Sequence, residues 1–262
     1  MAHVWSPGQY LKFAGHRLRP ALDLLARVDV EDPGIVYDLG CGPGNSTILL
    51  KNRWPEASVT GLDNSPDMLA QAEKDHPELL WAGADLADWS APVPADVLFS
   101  NAVLHWLDDH KSRFPRLMQS LKPGGVLAVQ MPGNFAAPSH TCIGEAAKPW
   151  LDKIGPVLRS DPVASPAVYH QILKPVSAEL DIWETTYIQE LEGDNAAAEW
   201  LKGSYLKPVL DALDGDEKED FFVAYSALVQ KAYPQRADGK TLYPFRRVFI
   251  VARRADEVQG RR

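Results

Sequence analysis

The sequence predicts an α/β protein with a mostly parallel, seven-stranded sheet flanked by helices, and three observations carry that prediction. Short apolar runs alternate with helical patterns from residue 34 to 131; the first run ends in a glycine cluster, Gly40-Cys41-Gly42-Pro43-Gly44; and two later strand-like runs are separated by a long helical stretch. Parallel strands need crossovers of many residues, usually helices, so alternation at this spacing points to parallel pairing of the first five strands. The chain has 262 residues, 45% hydrophobic and 24% charged, a soluble globular balance that suits one large α/β domain or two small ones.

Ser6-Pro7 is a helix-start signal, and Tyr10, Leu11, Phe13, Leu18, Leu22, Leu25 and Ala26 follow at helical spacing, so residues 6–27 read as one or two short helices. Gly34–Leu39 is the first strand, and Asn45–Arg53, closed by Trp54-Pro55, is the helix after the glycine turn. Ser58–Leu62 is a second strand, Pro66–Lys74 a helix opened by a favoured first-turn proline, and Leu79–Gly83 a third strand. The pattern repeats as strand Asp96–Ser100, helix Lys111–Leu121 and strand Gly125–Met131. Beyond Gly133, Ser139–Trp150 reads as a helix, residues 155–166 as a proline-broken loop, Ala167–Leu173 as a short helix, and Glu179–Leu191 as a long strand. Asn195–Tyr233 returns to helical spacing, Thr241–Ala252 is the last strand, and the tail ADEVQGRR is expected to fray.

Lys and Arg number 27 against 35 Asp and Glu, a formal net charge of −8. No run of five or six basic residues occurs, which argues against nucleic acid, because neutralising phosphates needs a clustered basic surface. Small molecules are the expected partners. Two cysteines, Cys41 and Cys142, without C-x-x-C or zinc-like spacing, give neither a disulfide framework nor a metal site. No leader-like start and no stretch of eighteen apolar residues is seen, so a cytoplasmic chain without a membrane segment is expected. An acidic protein that takes an anion must gather its positive charges locally.

The chemistry concentrates in Val36-Tyr37-Asp38-Leu39-Gly40-Cys41-Gly42-Pro43-Gly44-Asn45-Ser46-Thr47. Glycines at 40, 42 and 44 let the backbone turn sharply and approach a ligand closely, while the helix that follows offers free N–H groups. A dinucleotide fingerprint needs a third glycine where Asn45 or Thr47 stands, which weakens a dehydrogenase reading. Asp38, at the end of the first strand, suits an ammonium group and would repel a pyrophosphate, unless it merely caps its own turn. Asp63 ends the second strand, where a carboxylate can take both ribose hydroxyls, or else caps the helix that starts at Pro66. Asp85 can accept from an exocyclic amine such as that of adenine, with Met68 and Leu86 on the faces of the ring; Met68 is alternatively plain core. Together these describe a ligand with an amino-acid end, a ribose and an adenine.

With VYDLGCGPGNST, GLDNS, GADLADW and DVLFSNAVLHWL, the sequence resembles the class I S-adenosylmethionine-dependent methyltransferases. The resemblance implies their Rossmann-like fold as a single domain over 1–262, with an N-terminal helical cover (1–30), a cofactor-binding core (31–132) and a helical cap inserted at 195–233. It also implies S-adenosylmethionine as cofactor, leaving as S-adenosylhomocysteine, and places Asn101 of the fourth-strand motif with the cofactor-binding residues. Across WSPGQYLKFAGHRLRPALDLLARV, GGVLAVQMPGN, DIWETTY and FRRVFIVARR it is similar to members of the class that esterify a carboxylate of trans-aconitate, a small tricarboxylate.

A carboxylate with a reference pKa near ~4 is already ionised at neutral pH, so this reaction needs alignment and dehydration, not a general base. Alignment of such an anion calls for arginine forks. Arg17 and Arg19, with Tyr10 about two turns away, are one source; Arg246 and Arg247 are the other, and on a strand only one of the latter pair faces the site, Arg247 by the resemblance. His105 can donate to a substrate carboxylate and Trp106 can wall the pocket, while Arg253 and Arg254 read as surface. Two alternatives stay open: a methyltransferase of the same fold with a different small acceptor, and a protein that binds S-adenosylmethionine without catalysis.

Overall fold

The computed structural model describes residues 14–159 and 162–256. Its strands, β1 (Ile35–Leu39), β2 (Ser58–Asp63), β3 (Leu80–Gly83), β4 (Ala95–Asn101), β5 (Leu121–Pro132), β6 (Ser177–Glu192) and β7 (Lys240–Arg254), form one seven-stranded sheet in the order β3-β2-β1-β4-β5-β7-β6. The first five pair in parallel; β7 runs antiparallel between β5 and β6. The apolar runs have their cause here: Val97, Leu98 and Phe99 of β4 and Val126 to Met131 of β5 are buried on both faces, as central parallel strands require.

Helices cover both faces. Helix α1 (Ala14–Leu25) and α2 (Asn45–Arg53) bury Leu24, Leu50 and Trp54 with Phe99 and Phe249. α3 (Pro66–Asp75) starts at Ser65, whose hydroxyl accepts from the Met68 N–H, with Pro66 in the first turn where its missing N–H costs nothing. On the opposite face, α4 (His110–Gln119) packs Phe114 and Met118 onto Leu98 and Leu127. Only Arg247–Arg253 of β7 pair with β5, so the remaining half of the β6–β7 ribbon runs past the sheet. There its Tyr243 and Phe245 form a second core with helices α5 (Pro138–Ala146), α8 (Ala196–Lys202), α9 (Lys207–Asp211) and α10 (Gly215–Ala232).

The differences from the sequence reading lie at boundaries. α4 ends at Gln119 and Leu121 already belongs to β5, pairing with Ala95 before a register shift. The helix expected over 139–150 stops at Ala146, and a 3₁₀ turn follows at Lys148–Trp150, because Pro149 cannot extend the ladder of N–H donors. A short helix, Leu151–Ile154 (α6), precedes the loop expected at 155–166, whose first residues form a 3₁₀ turn at Gly155–Val157, and α7 (Pro166–Leu173) follows. The stretch 195–233 is three helices, the last begun by a capping box between Asp214 and Glu217. Among the described residues no helix is long and apolar enough to cross a membrane, and no cluster of His, Cys, Asp or Glu is arranged to hold a metal.

Candidate active site

The chain runs through β1, β2 and β3 to one edge and then returns to place β4 on the other side of β1, so a crevice opens at the carboxyl ends of β1 and β4, the general location for ligands in such sheets. The glycine turn forms its floor. Gly40 (φ 74°) and Cys41 both donate their N–H to the Leu62 carbonyl, at 2.7 and 2.9 Å, and the Gly42 N–H (φ 55°) donates to Asp63 Oδ2 at 2.9 Å. A Cβ on Gly40 would meet Val103 at 2.4 Å, whereas one on Gly42 would meet nothing within 4 Å. Gly40 is therefore demanded by close packing, and Gly42 leaves its open side to the crevice.

A cavity of about 1020 Å³ fills the crevice, and Gly40, Gly42, Asp63, Met68, Asp85, Leu86 and Asn101 all line it. That is ample for a nucleoside joined to an amino acid. Asp63 also holds its turn, taking the Ser65 N–H on Oδ1 at 2.9 Å, and Asp85 takes the Ala87 N–H at 2.8 Å. Two of the sequence-derived residues stand back from the cavity. Gly44 caps α2 and faces Trp81, which leaves 2.7 Å for a Cβ. Asp38 is wholly buried behind Ser46, its Oδ2 accepting from Ser46 Oγ and Thr47 Oγ1 at 2.7 Å each, which is the turn-capping alternative. Its Oδ1 has no partner among the described residues, and burial pushes its pKa up to about 6 against the two hydroxyls.

After β4, Ala102 takes a left-handed conformation (φ 59°), its N–H bonded to the Gln130 carbonyl, and a 3₁₀ turn at Leu104–Trp106 carries His105 inward. A smaller cavity of about 100 Å³ lies there, lined by His105, Arg247, His140 and Phe245, and it shares Asn101, Ala102, Trp106 and Tyr205 with the large one. His105 is 5% exposed and its Nδ1 has no partner among the described residues. Burial holds its pKa well below 6.5, and the charges of Arg247 and Arg159 hold it down further. Arg247 is 4% exposed, packs its guanidinium 4.1 Å from the centre of the Phe245 ring and donates to Gln130 Oε1 at 3.4 Å. Arg246 faces the other way, donating to the Gly133 carbonyl and pairing with Glu184 at 3.5 Å. Arg19, on α1, is exposed and stacks on Tyr187 of β6. Tyr10 lies outside the described residues, as does the side chain of Arg17. Arg253 and Arg254 tie strand ends to backbone carbonyls, Arg253 also to Glu179.

Of three further residues at this site, Arg159 and His140 carry no signal in the sequence, and Tyr205 reads there only as cap or plain core. Arg159, in the stretch expected to be plain loop, lines the large cavity and donates to the His105 carbonyl at 2.9 Å. Tyr205 lines both cavities and donates its hydroxyl to the Arg159 carbonyl at 2.9 Å. His140, whose ring centre lies 4.7 Å from that of Tyr205, is buried enough to bring its pKa down to about 4. Only tertiary packing brings these three to the site.

Comparison with known proteins agrees with this fold. A methyltransferase domain profile matches residues 36–125, from β1 into β5. The phosphoethanolamine N-methyltransferase 2 of Haemonchus contortus, solved in complex with S-adenosyl-L-methionine, shares the fold with a TM-score of 0.59 at 17% identity, covering 95% of this chain and 56% of that one. The trans-aconitate 2-methyltransferase of Azoarcus sp. (strain BH72) is 46% identical over 95% of this chain and 98% of its own length. That of Rhodopseudomonas palustris (strain BisA53) is 47% identical over the same shares. On full-length identity of this order, the chain belongs to the trans-aconitate 2-methyltransferase family of S-adenosylmethionine-dependent enzymes.

Proposed function

We propose that the protein transfers the methyl group of S-adenosylmethionine to a carboxylate oxygen of trans-aconitate, giving a monomethyl ester and S-adenosylhomocysteine. The observation that carries this reading is the buried pair Arg247 and His105, set where the small cavity adjoins the glycine-floored one. A buried guanidinium at the wall of a cavity offers a rigid, charge-assisted fork to an anion that enters it.

The residues fit the cofactor. Gly42 presents open space where a side chain would intrude, and Asp63 and Asp85, at two successive strand ends, offer lone pairs to ribose hydroxyls and an exocyclic amine. Met68 and Leu86 supply apolar surface for the adenine. Gly40 shapes the turn, and Asp38 with Gly44 supports it from behind by fixing the first turn of α2. The Asn101 Oδ1, unpartnered among the described residues, is free to accept from the cofactor's ammonium. When bound, S-adenosylmethionine supplies a methyl group on a sulfonium, and in-line displacement by the acceptor oxygen neutralises one positive and one negative charge. No proton has to move.

The chain's own contribution is then orientation and exclusion of water. Arg247 holds a carboxylate with its fork, and neutral His105 donates one hydrogen bond to it. Arg19 adds positive potential from outside, and Tyr10 is proposed to complete this wall. Residues 1–30 serve as a cover and 195–233 as a cap over the core at 31–132. In support, Leu18 and Ala21 of α1, and Tyr205 and Pro208 beside α8 and α9, line the large cavity. The test is transfer of radiolabelled methyl to trans-aconitate, with the label released from the small product by mild base. Label appearing only with an amine or a phenol would overturn the acceptor while leaving the cofactor.

A further inference from the structure

A tricarboxylate that offers one carboxylate to the methyl group must place two more negative charges. Arg247 can meet one of them. Among the described residues, the other arginine lining either cavity is Arg159. Its guanidinium is anchored: Nη1 donates to the His105 carbonyl at 2.9 Å, and Tyr205 holds its backbone carbonyl at 2.9 Å. Its second partner is Asp108, whose carboxylate is 89% exposed while the Arg159 side chain is 23% exposed. An ion pair to such an exposed carboxylate contributes little, so it can be exchanged at small cost. Arginine has five N–H donors, and the two bonds to His105 and Asp108 leave the rest for an incoming carboxylate. Arg159 and Arg247 also both press electrostatically on the His105 ring, so the two cations act on one small volume.

We propose that Arg159 determines acceptor specificity by receiving a second substrate carboxylate, exchanging Asp108 for it while its bond to the His105 carbonyl keeps the guanidinium in place. This inference rests on the carboxylate-methylation reading above. Two guanidinium groups that both act on one neutral histidine select an acceptor with several carboxylates over a monoacid.

The experiment compares wild type with Arg159→Ala and Arg159→Lys. Steady-state kcat and KM are measured for trans-aconitate, inhibition constants for itaconate, glutaconate and mesaconate, which each lack a different one of its three carboxylates, and S-adenosylmethionine affinity by calorimetry. For Arg159→Ala the KM rises about tenfold to a hundredfold, the loss expected for one charge-assisted carboxylate contact, with kcat nearly unchanged. Lysine restores part of the loss. The dicarboxylate that lacks the carboxylate Arg159 meets loses almost no affinity, while the other two lose as much as trans-aconitate. Unchanged KM, an equal loss for all three dicarboxylates, or cofactor affinity falling in step with KM would overturn the proposal, the last by making Arg159 merely structural. Wild type that methylates no carboxylate would instead overturn the functional reading, and that control is read first.

Discussion

The guanidinium carbon of Arg19 lies 5.0 Å from the centre of the Tyr187 ring, so the first described helix is joined to the C-terminal ribbon. Tyr187 donates its hydroxyl to Asp23 at 2.5 Å, which fixes the ring against α1. It pairs across the ribbon with Phe245, while Thr185 pairs with Arg247, and residues two apart on a strand share a face. Burial and Asp23 push the Tyr187 hydroxyl up, and the charges of Arg247 and Arg19 act against them. Two arginines from opposite ends of a chain of net charge −8 thus converge on one tyrosine.

The two arginines should contribute unequally. Arg247 is 4% exposed and Arg19 is on the surface. Arg247→Ala is expected to lower kcat/KM for trans-aconitate about a hundredfold or more, because a charge-assisted contact in a water-poor site is lost. Arg19→Ala should cost only about twofold to fivefold, since its field is screened by solvent. Arg247→Lys should recover little, because an ammonium cannot both reach Gln130 and present a planar fork. Steady-state kinetics with trans-aconitate decides; equal losses for the two alanine variants would refute the burial argument.

The first half of the fold was legible because each strand there is a continuous apolar run closed by a turn signal, and the glycine motif names its own position after β1. Asp63, Asp85, Met68 and Leu86 could be placed at the cavity for the same reason: each sits at a strand end or in the turn of helix beyond it. Asp38 was harder, since the choice between ligand and turn depends on whether Ser46 and Thr47 rotate toward it, which they do. Arg159 was beyond reach. It meets His105 across 54 residues and Tyr205 across 46, contacts that no local periodicity encodes. Tyr205 read as core or cap from its spacing, and its hydroxyl bond became visible only in three dimensions.

Asp38 makes the apo-protein's stability depend on pH. The native state keeps its proton up to about pH 6, whereas the unfolded chain releases it near the ordinary carboxylate value of 3.8. Between these values the native state binds more protons, so this group's contribution to stability falls as pH rises through the window and stays low above it. The full shift corresponds to on the order of 3 kcal/mol. Asp38→Asn removes the titration, so the stability difference, variant minus wild type, should become more favourable to the variant between pH 4.5 and pH 7. Urea unfolding without cofactor measures it, and a difference that stays constant across those two pH values would contradict the assignment.

Gly40 and Gly42 separate folding from binding within one turn. Gly40→Ala drives a methyl into Val103 at 2.4 Å and strains a positive φ, so it should abolish a cooperative thermal transition or lower it by about 10 °C or more. Gly42→Ala has open space for the methyl and only the backbone strain, about 1 kcal/mol. Its melting temperature should fall by a few degrees while S-adenosylmethionine affinity drops about tenfold or more, because the methyl enters the cavity. Calorimetric binding at unchanged affinity in Gly42→Ala would show that the turn does not floor the cofactor site.

The pH profile distinguishes a carboxylate acceptor from one that must first lose a proton. His105 is held well below 6.5 by burial and by the charges of Arg247 and Arg159, and His140 is brought down to about 4 by burial. Both are neutral above about pH 6, and an acceptor carboxyl with a reference pKa near ~4 is already ionised there. No group at the site is then required to take a proton, so kcat/KM should be level from about pH 6 to 9 and fall only toward pH 5 and below. An amine or phenol acceptor would instead give a rate that rises through this range as its own proton is lost. The same histidines act on stability with a definite sign. The unfolded chain takes protons on them near pH 6.5 while the native state does not until much lower, so stability is lost as pH falls from about 6.5 toward 4. His105→Asn and His140→Asn should each flatten that loss, and only His105→Asn should also change kcat/KM on the level part of the profile by about tenfold, because it alone has an unpartnered buried nitrogen beside Arg247.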